Sequence, residues 1–347
     1  MSTPHAHGFL RLSSRDTVAR LQPPLSLEDL SPLTGAQALV IDLHDSNPGD
    51  ADEVNRAILH LRELPCPSIG VGKTDRRDVS SETASLLEAL DLIVTEERLA
   101  SVLAAIGKQP IASMALVQLL RLGDSLDVYE ALITESLVYS TLQAGPEYRA
   151  WIAGQTPQQL PPPSGSEPAV LSSRKGGRLD VVLNRPERHN AYSAEMRDAL
   201  TEALEVAVAD PSIEEIVLRG SGPSFSAGGD LSEFGTFPDP ATAHAIRSTR
   251  SAARLLARCA DRVRVEVHGA CIGAGVELPA FAAHVVAHED AFFQLPELSM
   301  GLVPGAGGTA SIPRRIGRQR TAYMALSGAR IDAYTALAWG LVDAIAG

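Results

Sequence analysis

Aromatic side chains are scarce, 4% of the 347 residues, so a core has to be filled mostly by Leu, Val, Ile and Ala. Cysteine is nearly absent. Cys66, Cys259 and Cys271 show no metal-ligand spacing and no even-numbered disulfide framework, which leaves no metal site to expect and points to reduced thiols in a cytoplasmic protein. No apolar run approaches the ~20 residues that span a bilayer. The first residues lack the basic-then-apolar layout of a signal peptide. No membrane partner is expected. Positive charge is also in short supply: 30 Lys and Arg against 42 Asp and Glu give a net charge of −12, which argues against nucleic acid as the main partner. The local exception is Arg174, Lys175, Arg178, Arg185 and Arg188, either a solvated basic surface or a seat for a polyanionic cofactor.

What is present, 45% hydrophobic and 21% charged residues, is the composition of a soluble globular chain long enough for two domains. Residues 1–32 are polar, contain proline and read as a mobile tail. Residues 155–173 hold Pro157, Pro161, Pro162, Pro163 and Pro168 among Gln, Ser and Gly, a linker between a module at 33–154 and a core at 174–347. In the core, Leu179–Leu183, Glu215–Leu218 and Arg264–Val267 read as strands. Ser193 caps a helix to about Val208, with Met196, Leu200, Leu204 and Ala207 at helical spacing. Strand–turn–helix repeats predict an α/β fold with parallel strands. In the module, 38–43 is a buried strand, and 52–64, 110–122 and 126–152 are helical. Gly70-Val71-Gly72-Lys73-Thr74 imitates the end of a phosphate-binding loop. Pro67 replaces the glycine that loop requires, and Asp75 and Asp78 follow, so nucleotide hydrolysis is not expected.

Two stretches carry the chemistry: Phe225-Ser226-Ala227-Gly228-Gly229-Asp230-Leu231 and Gly273-Ala274-Gly275-Val276-Glu277-Leu278. Each reads as a tight turn of small residues opening a helix. Two such turns aimed at one oxygen would form an oxyanion hole. Asp230 has the position of a cap. Glu277, and Glu297 in Gln294-Leu295-Pro296-Glu297, lie where acid and base groups would be used.

From about 175 to 345 the chain resembles the crotonase (enoyl-CoA hydratase/isomerase) family. The landmarks occur in that family's order: Leu183-Asn184-Arg185-Pro186 with Asn190-Ala191, the two stretches above, Pro296-Glu297, then Gly301-Leu302-Val303-Pro304-Gly305-Ala306-Gly307-Gly308-Thr309, and Gly340-Leu341-Val342-Asp343. The resemblance implies a spiral of ββα units and an acyl-CoA or enoyl-CoA substrate. It implies no cofactor beyond the CoA of that substrate, a role in fatty acid metabolism, and a homotrimer or hexamer. It assigns the oxyanion-hole N–H groups to Ala227 and Ala274, where the family usually has glycine at the second position. It assigns catalysis to Glu277 and Glu297, and substrate or CoA contacts to Arg185, Asn190, Ala191, Gly228, Gly229, Asp230 and Gly273. Retention of both glutamates implies hydration, with isomerisation, thioester or C–C hydrolysis, cofactor-free oxygenation or a non-catalytic scaffold as alternatives. Family chains normally continue past the position of Gly347 into helices that cover the site. Residues 90–142 and 135–148 resemble that region, so the module is expected to be a degenerate crotonase-like copy or a permuted helical cap. Residues 110–153 are expected to pack near Ala333–Trp339.

Overall fold

The computed structural model describes residues 8–44, 47–72, 79–155, 167–237 and 239–347. The chain forms two compact units. One comprises residues 1–124 and 318–327, the other 125–317 and 328–347.

The first unit is a four-stranded parallel sheet in sequential order, β1 (Leu10–Ser13), β2 (Leu39–Asp42), β3 (Ser68–Val71) and β4 (Leu92–Val94). β2 and β3 are buried apolar runs, as parallel strands covered on both faces require. The helix Ala51–Glu63 buries Val54, Ala57 and Leu61 at helical spacing. Residues from Gly8 onward are not a tail: β1 adds an edge strand to β2, and Ser14–Arg20 is a helix burying Val18. The helix Arg318–Ser327 joins this unit through a buried hub. Asp91 accepts hydrogen bonds from Arg318 at 3.0 Å, from Arg121 at 2.9 Å and from Ser68 at 2.8 Å. Lys73–Asp78, with the end of the phosphate-loop lookalike, lie outside the described residues.

The second unit carries β5 (Val170–Lys175), β6 (Arg178–Leu183), β7 (Glu215–Gly220), β8 (Val263–Val267), β9 (Ala270–Ile272), β10 (His284–His288), β11 (Phe292–Gln294), β12 (Ile331–Asp332) and β13 (Ala344–Ala346). Six of them form a sheet in the order β13-β10-β8-β7-β6-β5, parallel except for the β5–β6 hairpin. β9, β11 and β12 form a second, smaller sheet. Single bridges extend its layer, Ser226 to Cys271 and Tyr192 to Gly229. Successive turns of chain therefore place one strand in the large sheet and one strand or bridge in the small one before a helix. This is the ββα spiral. Alternation fixes its register: Leu179, Val181 and Leu183 of β6 are buried, as are Val263, Val265 and Val267 of β8. The helix Ala194–Ala209 is capped by Ser193, whose Oγ accepts from Met196 N at 3.1 Å, and it buries Met196, Leu200, Leu204 and Ala207.

The boundaries differ from the sequence expectation in two ways. The linker ends earlier, because Val170–Ser173 already belong to β5; residues 156–166 of it lie outside the described residues. The expected helix over 126–152 is two, Val128–Gln143 and Pro146–Ala153, because Gly145 and Pro146 break it. Both belong to the second unit. The first packs on Pro240–Thr249, Ala252–Arg258 and Gly308–Ile316, the second on the turn Glu297–Met300, rather than near Ala333–Trp339. The helix Pro110–Gly123 packs instead on Glu96–Lys108 and Arg318–Ser327 in the first unit. No single helix among the described residues is long and apolar enough to cross a membrane.

Candidate active site

Both small-residue turns and both glutamates line one cavity of about 410 Å³ in the second unit. The turns are tied together by backbone bonds: Ser226 N donates to Ala270 O at 3.1 Å and Ile272 N to Ser226 O at 3.0 Å. Glycine is required at two places. Gly228 sits at φ +87°, and a Cβ there would meet Ile272 O at 2.8 Å. Gly273 sits at φ +51°, and a Cβ there would meet Glu297 Oε1 at 2.6 Å.

The donors on the first turn are not distributed as expected. Ala227 N–H is spent: it donates to His189 O at 2.9 Å. It is therefore not free for a ligand oxygen, although Ala227 lines the cavity. Two residues on, Gly229 also lines the cavity, and its N–H has no acceptor among the described residues. On the second turn Ala274 opens the short helix Ala274–Glu277. It is buried, lines the cavity and has no acceptor for its N–H among the described residues. The free pair is thus Gly229 and Ala274.

Arg185, Asn190 and Ala191 do not line this cavity. Arg185 donates to Pro168 O and to Glu195 Oε1, the latter at 2.6 Å. The buried Asn190 amide donates to Ser221 O and Ser224 O and accepts from Arg185 N at 2.8 Å. These groups are consumed in holding the chain behind the first turn, and Asn190 O accepts from Ser226 Oγ there. Asp230 is buried and does what a cap does: Oδ1 accepts from Ser232 N at 3.0 Å, and Oδ2 faces Arg188 at 2.8 Å. Four of the five basic residues clustered in the sequence are likewise paired. Arg174 meets Asp210, Arg178 meets Asp180, Arg185 meets Glu195 and Arg188 meets Asp230.

Glu277 is buried, and its Oε2 accepts from Ala306 N at 2.7 Å and Gly308 N at 2.9 Å. A third carboxylate, not foreseen from the sequence, holds the same loop from the other side. Glu135 accepts from Gly307 N at 2.7 Å and from Thr309 N at 2.8 Å and Oγ1 at 2.6 Å. Four consecutive amides, 306 to 309, therefore alternate between two buried carboxylates. The one local signal for Glu135 was a charge standing among Leu132, Ile133 and Leu137. Glu297 is in the opposite situation, since its Oε2 is buried with no hydrogen-bond partner among the described residues. Burial raises its carboxyl to about 8. Glu277 is raised as well, by burial and by the charges of Glu297 and Glu135, while its two amide donors oppose the rise. Two amide donors favour the charged form of Glu277 and none is described for Glu297 Oε2, whereas the charges of Glu297 and Glu135 act on Glu277 in the opposite sense.

The remaining wall comes from Tyr139 and Gln143 on the helix Val128–Gln143, Arg247 on Pro240–Thr249, and Phe234 and Phe237 on the segment between. The guanidinium of Arg247 lies 4.7 Å over the Tyr139 ring. A Cβ on Gly305 would meet that ring at 2.4 Å, so the helix approaches the loop closely.

Residues 174–347 match the family model described as Enoyl-CoA hydratase/isomerase. The chain belongs to that family. It is similar to the 2,3-dehydroadipyl-CoA hydratase of Escherichia coli (strain K12), 38% identical over 50% of this chain and 68% of that protein. It is similar to the 1,2-epoxyphenylacetyl-CoA isomerase of the same organism, 34% identical over 50% and 68%. It is also similar to the mitochondrial enoyl-CoA hydratase of Pongo abelii, 33% identical over 54% and 66%. The chain thus spans about two thirds of the length of these relatives, which include both a hydratase and an isomerase.

Proposed function

We propose that this crotonase-family chain adds water to, or removes it from, an enoyl-CoA thioester. The observation that carries the reading is the unequal pair of carboxyls, Glu277 and Glu297, on the cavity that also holds the free N–H groups of Gly229 and Ala274. The thioester C=O accepts from those two N–H groups. The Glu277 carboxylate takes a proton from water as the water oxygen bonds to Cβ. Electrons of the C=C bond move to the thioester as an enolate, whose oxygen the two N–H groups stabilise. Glu297 then gives its proton to Cα, the C=O re-forms, and the proton held by Glu277 passes back to Glu297, so both carboxyls return to their starting states. Loss of one such N–H donor typically costs ~3 kcal/mol of transition-state stabilisation. Only thioester and water are consumed.

The test is a panel of trans-2-enoyl-CoA and 3-enoyl-CoA thioesters with products read by mass spectrometry. Gain of one water on a 2-enoyl thioester is the expected result. A product of unchanged mass with a moved double bond would replace hydration by isomerisation, the reaction class named for one of the similar proteins.

A further inference from the structure

Next to the catalytic cavity lies a second one of about 150 Å³. Tyr192, Arg197, Arg247, Gly305 and Ala306 line both. In a chain of net charge −12, four arginines line it: Arg197, Arg247, Arg250 and Arg254. Glu135 is the one carboxylate in its lining; it accepts three hydrogen bonds from the 307–309 loop and its charge acts through space on Arg247. Arg197 and Arg250 have carboxylates outside the lining, Asp198 at 2.8 Å and Glu202 at 3.8 Å. Arg247 forms no ion pair among the described residues. Its donors go to Ser136, Ser140 and Gln143, neutral groups that satisfy hydrogen bonds without cancelling the charge. Arg254 Nε is buried with no hydrogen-bond partner among the described residues. A partly desolvated cation such as Arg254, with no ion pair among the described residues, is costly unless an anion joins it.

The position of this cavity says where on a ligand the anion would be. Its lining includes Ala306 and Gly307, next to the amides that hold Glu277, and none of Ala227, Gly229 or Ala274. With a thioester carbonyl at the two free N–H groups and its reacting carbons beside the glutamates, the second cavity lies beyond the loop that holds Glu277, on the side of the reacting carbons. We infer that the second cavity receives the distal end of the acyl group and that this end is a carboxylate. The inference rests on the proposed placement of the thioester, but not on which reaction follows.

The test is therefore a binding measurement on unreactive ligands. Titration calorimetry on the full chain would compare free CoA with two saturated six-carbon acyl-CoA thioesters, one ending in methyl and one in carboxylate. The carboxylate-ended thioester is expected to bind at least about tenfold tighter, as a charge-assisted contact to guanidinium provides. Arg254→Gln should abolish that advantage, and Arg254→Lys should keep part of it. Equal affinities of the two thioesters in the wild type would overturn the inference while leaving the proposed function intact. An advantage that survives Arg254→Gln would also overturn it. So would a loss that falls equally on free CoA, since these arginines would then serve the CoA phosphates. Failure of both thioesters to bind better than free CoA would remove the thioester placement itself.

Discussion

Glu277 and Glu297 are held in unequal surroundings, and the inequality is measurable. A carboxyl raised from 4.5 to about 8 keeps its proton in the folded state over a range where the unfolded chain has released it. Its contribution to stability is full below pH 4.5 and is lost as the pH rises through about 8, by at most about 1.4 kcal/mol per pH unit. The thermal midpoint of the wild type should therefore fall more steeply between pH 4.5 and 8 than that of Glu297→Gln, which has nothing there to titrate. Parallel curves would show that Glu297 is not the raised group. Glu277→Gln and Glu297→Gln should each lower turnover by about 10²-fold, the usual worth of a general acid or base, and the wild-type rate should decline above about pH 8 as Glu297 loses its proton. Near-native turnover in either variant would leave a one-glutamate reaction. Glu135 is a positioning residue. In Glu135→Gln one acceptor of the 307–309 amides becomes a donor, at a cost of about 1–3 kcal/mol, and the loop that holds Glu277 loosens. We expect kcat to drop about tenfold with KM nearly unchanged. An unchanged kcat at temperatures where the variant is folded would deny Glu135 this role. This is also the scale at which the sequence was least legible. The Gly-Gly and Gly-Ala-Gly spacing marked both turns, but which N–H stays free depends on His189 O, 38 residues before Ala227, accepting from that residue's amide. A long-range register of that kind leaves no local pattern.

Elements were more legible where one face meets water. The helix Ala194–Ala209 announced its cap and its buried stripe because a half-buried helix must alternate at 3.6 residues. β1 escaped because it is a four-residue edge strand with Arg11 and Ser13 interleaved, which reads as polar chain. The pair Val128–Gln143 and Pro146–Ala153 was legible as helix but not as wall, since the surface it covers lies more than a hundred residues later. In the second of these helices Trp151 stacks on Tyr148 at 6.0 Å between centroids and meets the edge of Phe234 at 5.8 Å, and Phe234 lines the catalytic cavity. Each such pair is worth about 0.5–1.5 kcal/mol beyond burial. Trp151→Ala should lower stability by about 2 kcal/mol, less than a fully buried Trp would cost because Trp151 is half-buried. It should raise KM for an acyl-CoA several-fold by releasing the Phe234 wall, with a smaller change in kcat. Steady-state kinetics showing the reverse split would assign Trp151 to stability alone.

Across the whole molecule, chain order and packing disagree. Helices 128–153 precede the Enoyl-CoA hydratase/isomerase match yet belong to the unit that holds the glutamates, and they supply Glu135, Tyr139 and Gln143 to its site. The helix Arg318–Ser327 lies inside the match yet packs in the first unit, with Arg318 on Asp91 and Gln319 donating to Leu87 O at 2.6 Å. We propose on this basis that residues 128–153 act as a permuted cap of the catalytic unit. Removing residues 1–165 would then do two kinds of damage. The faces of Pro240–Thr249 and Gly308–Ile316 lose their covering helix, at ~25 cal/mol for each Å² of apolar surface exposed. The buried residues of Arg318–Ser327, Met324 and Leu326 among them, lose the unit they pack in, and Arg318 loses its buried counter-ion. A 166–347 fragment is expected to be insoluble, or to lack fixed tertiary structure by near-ultraviolet circular dichroism, and to be inactive in either case. Co-expression with residues 1–155 should restore a soluble, active complex, because every contact described between the two pieces is non-covalent. A 166–347 fragment that is soluble and fully active on its own would show that the cap takes no part in the catalytic unit and that Glu135 is dispensable to the loop holding Glu277.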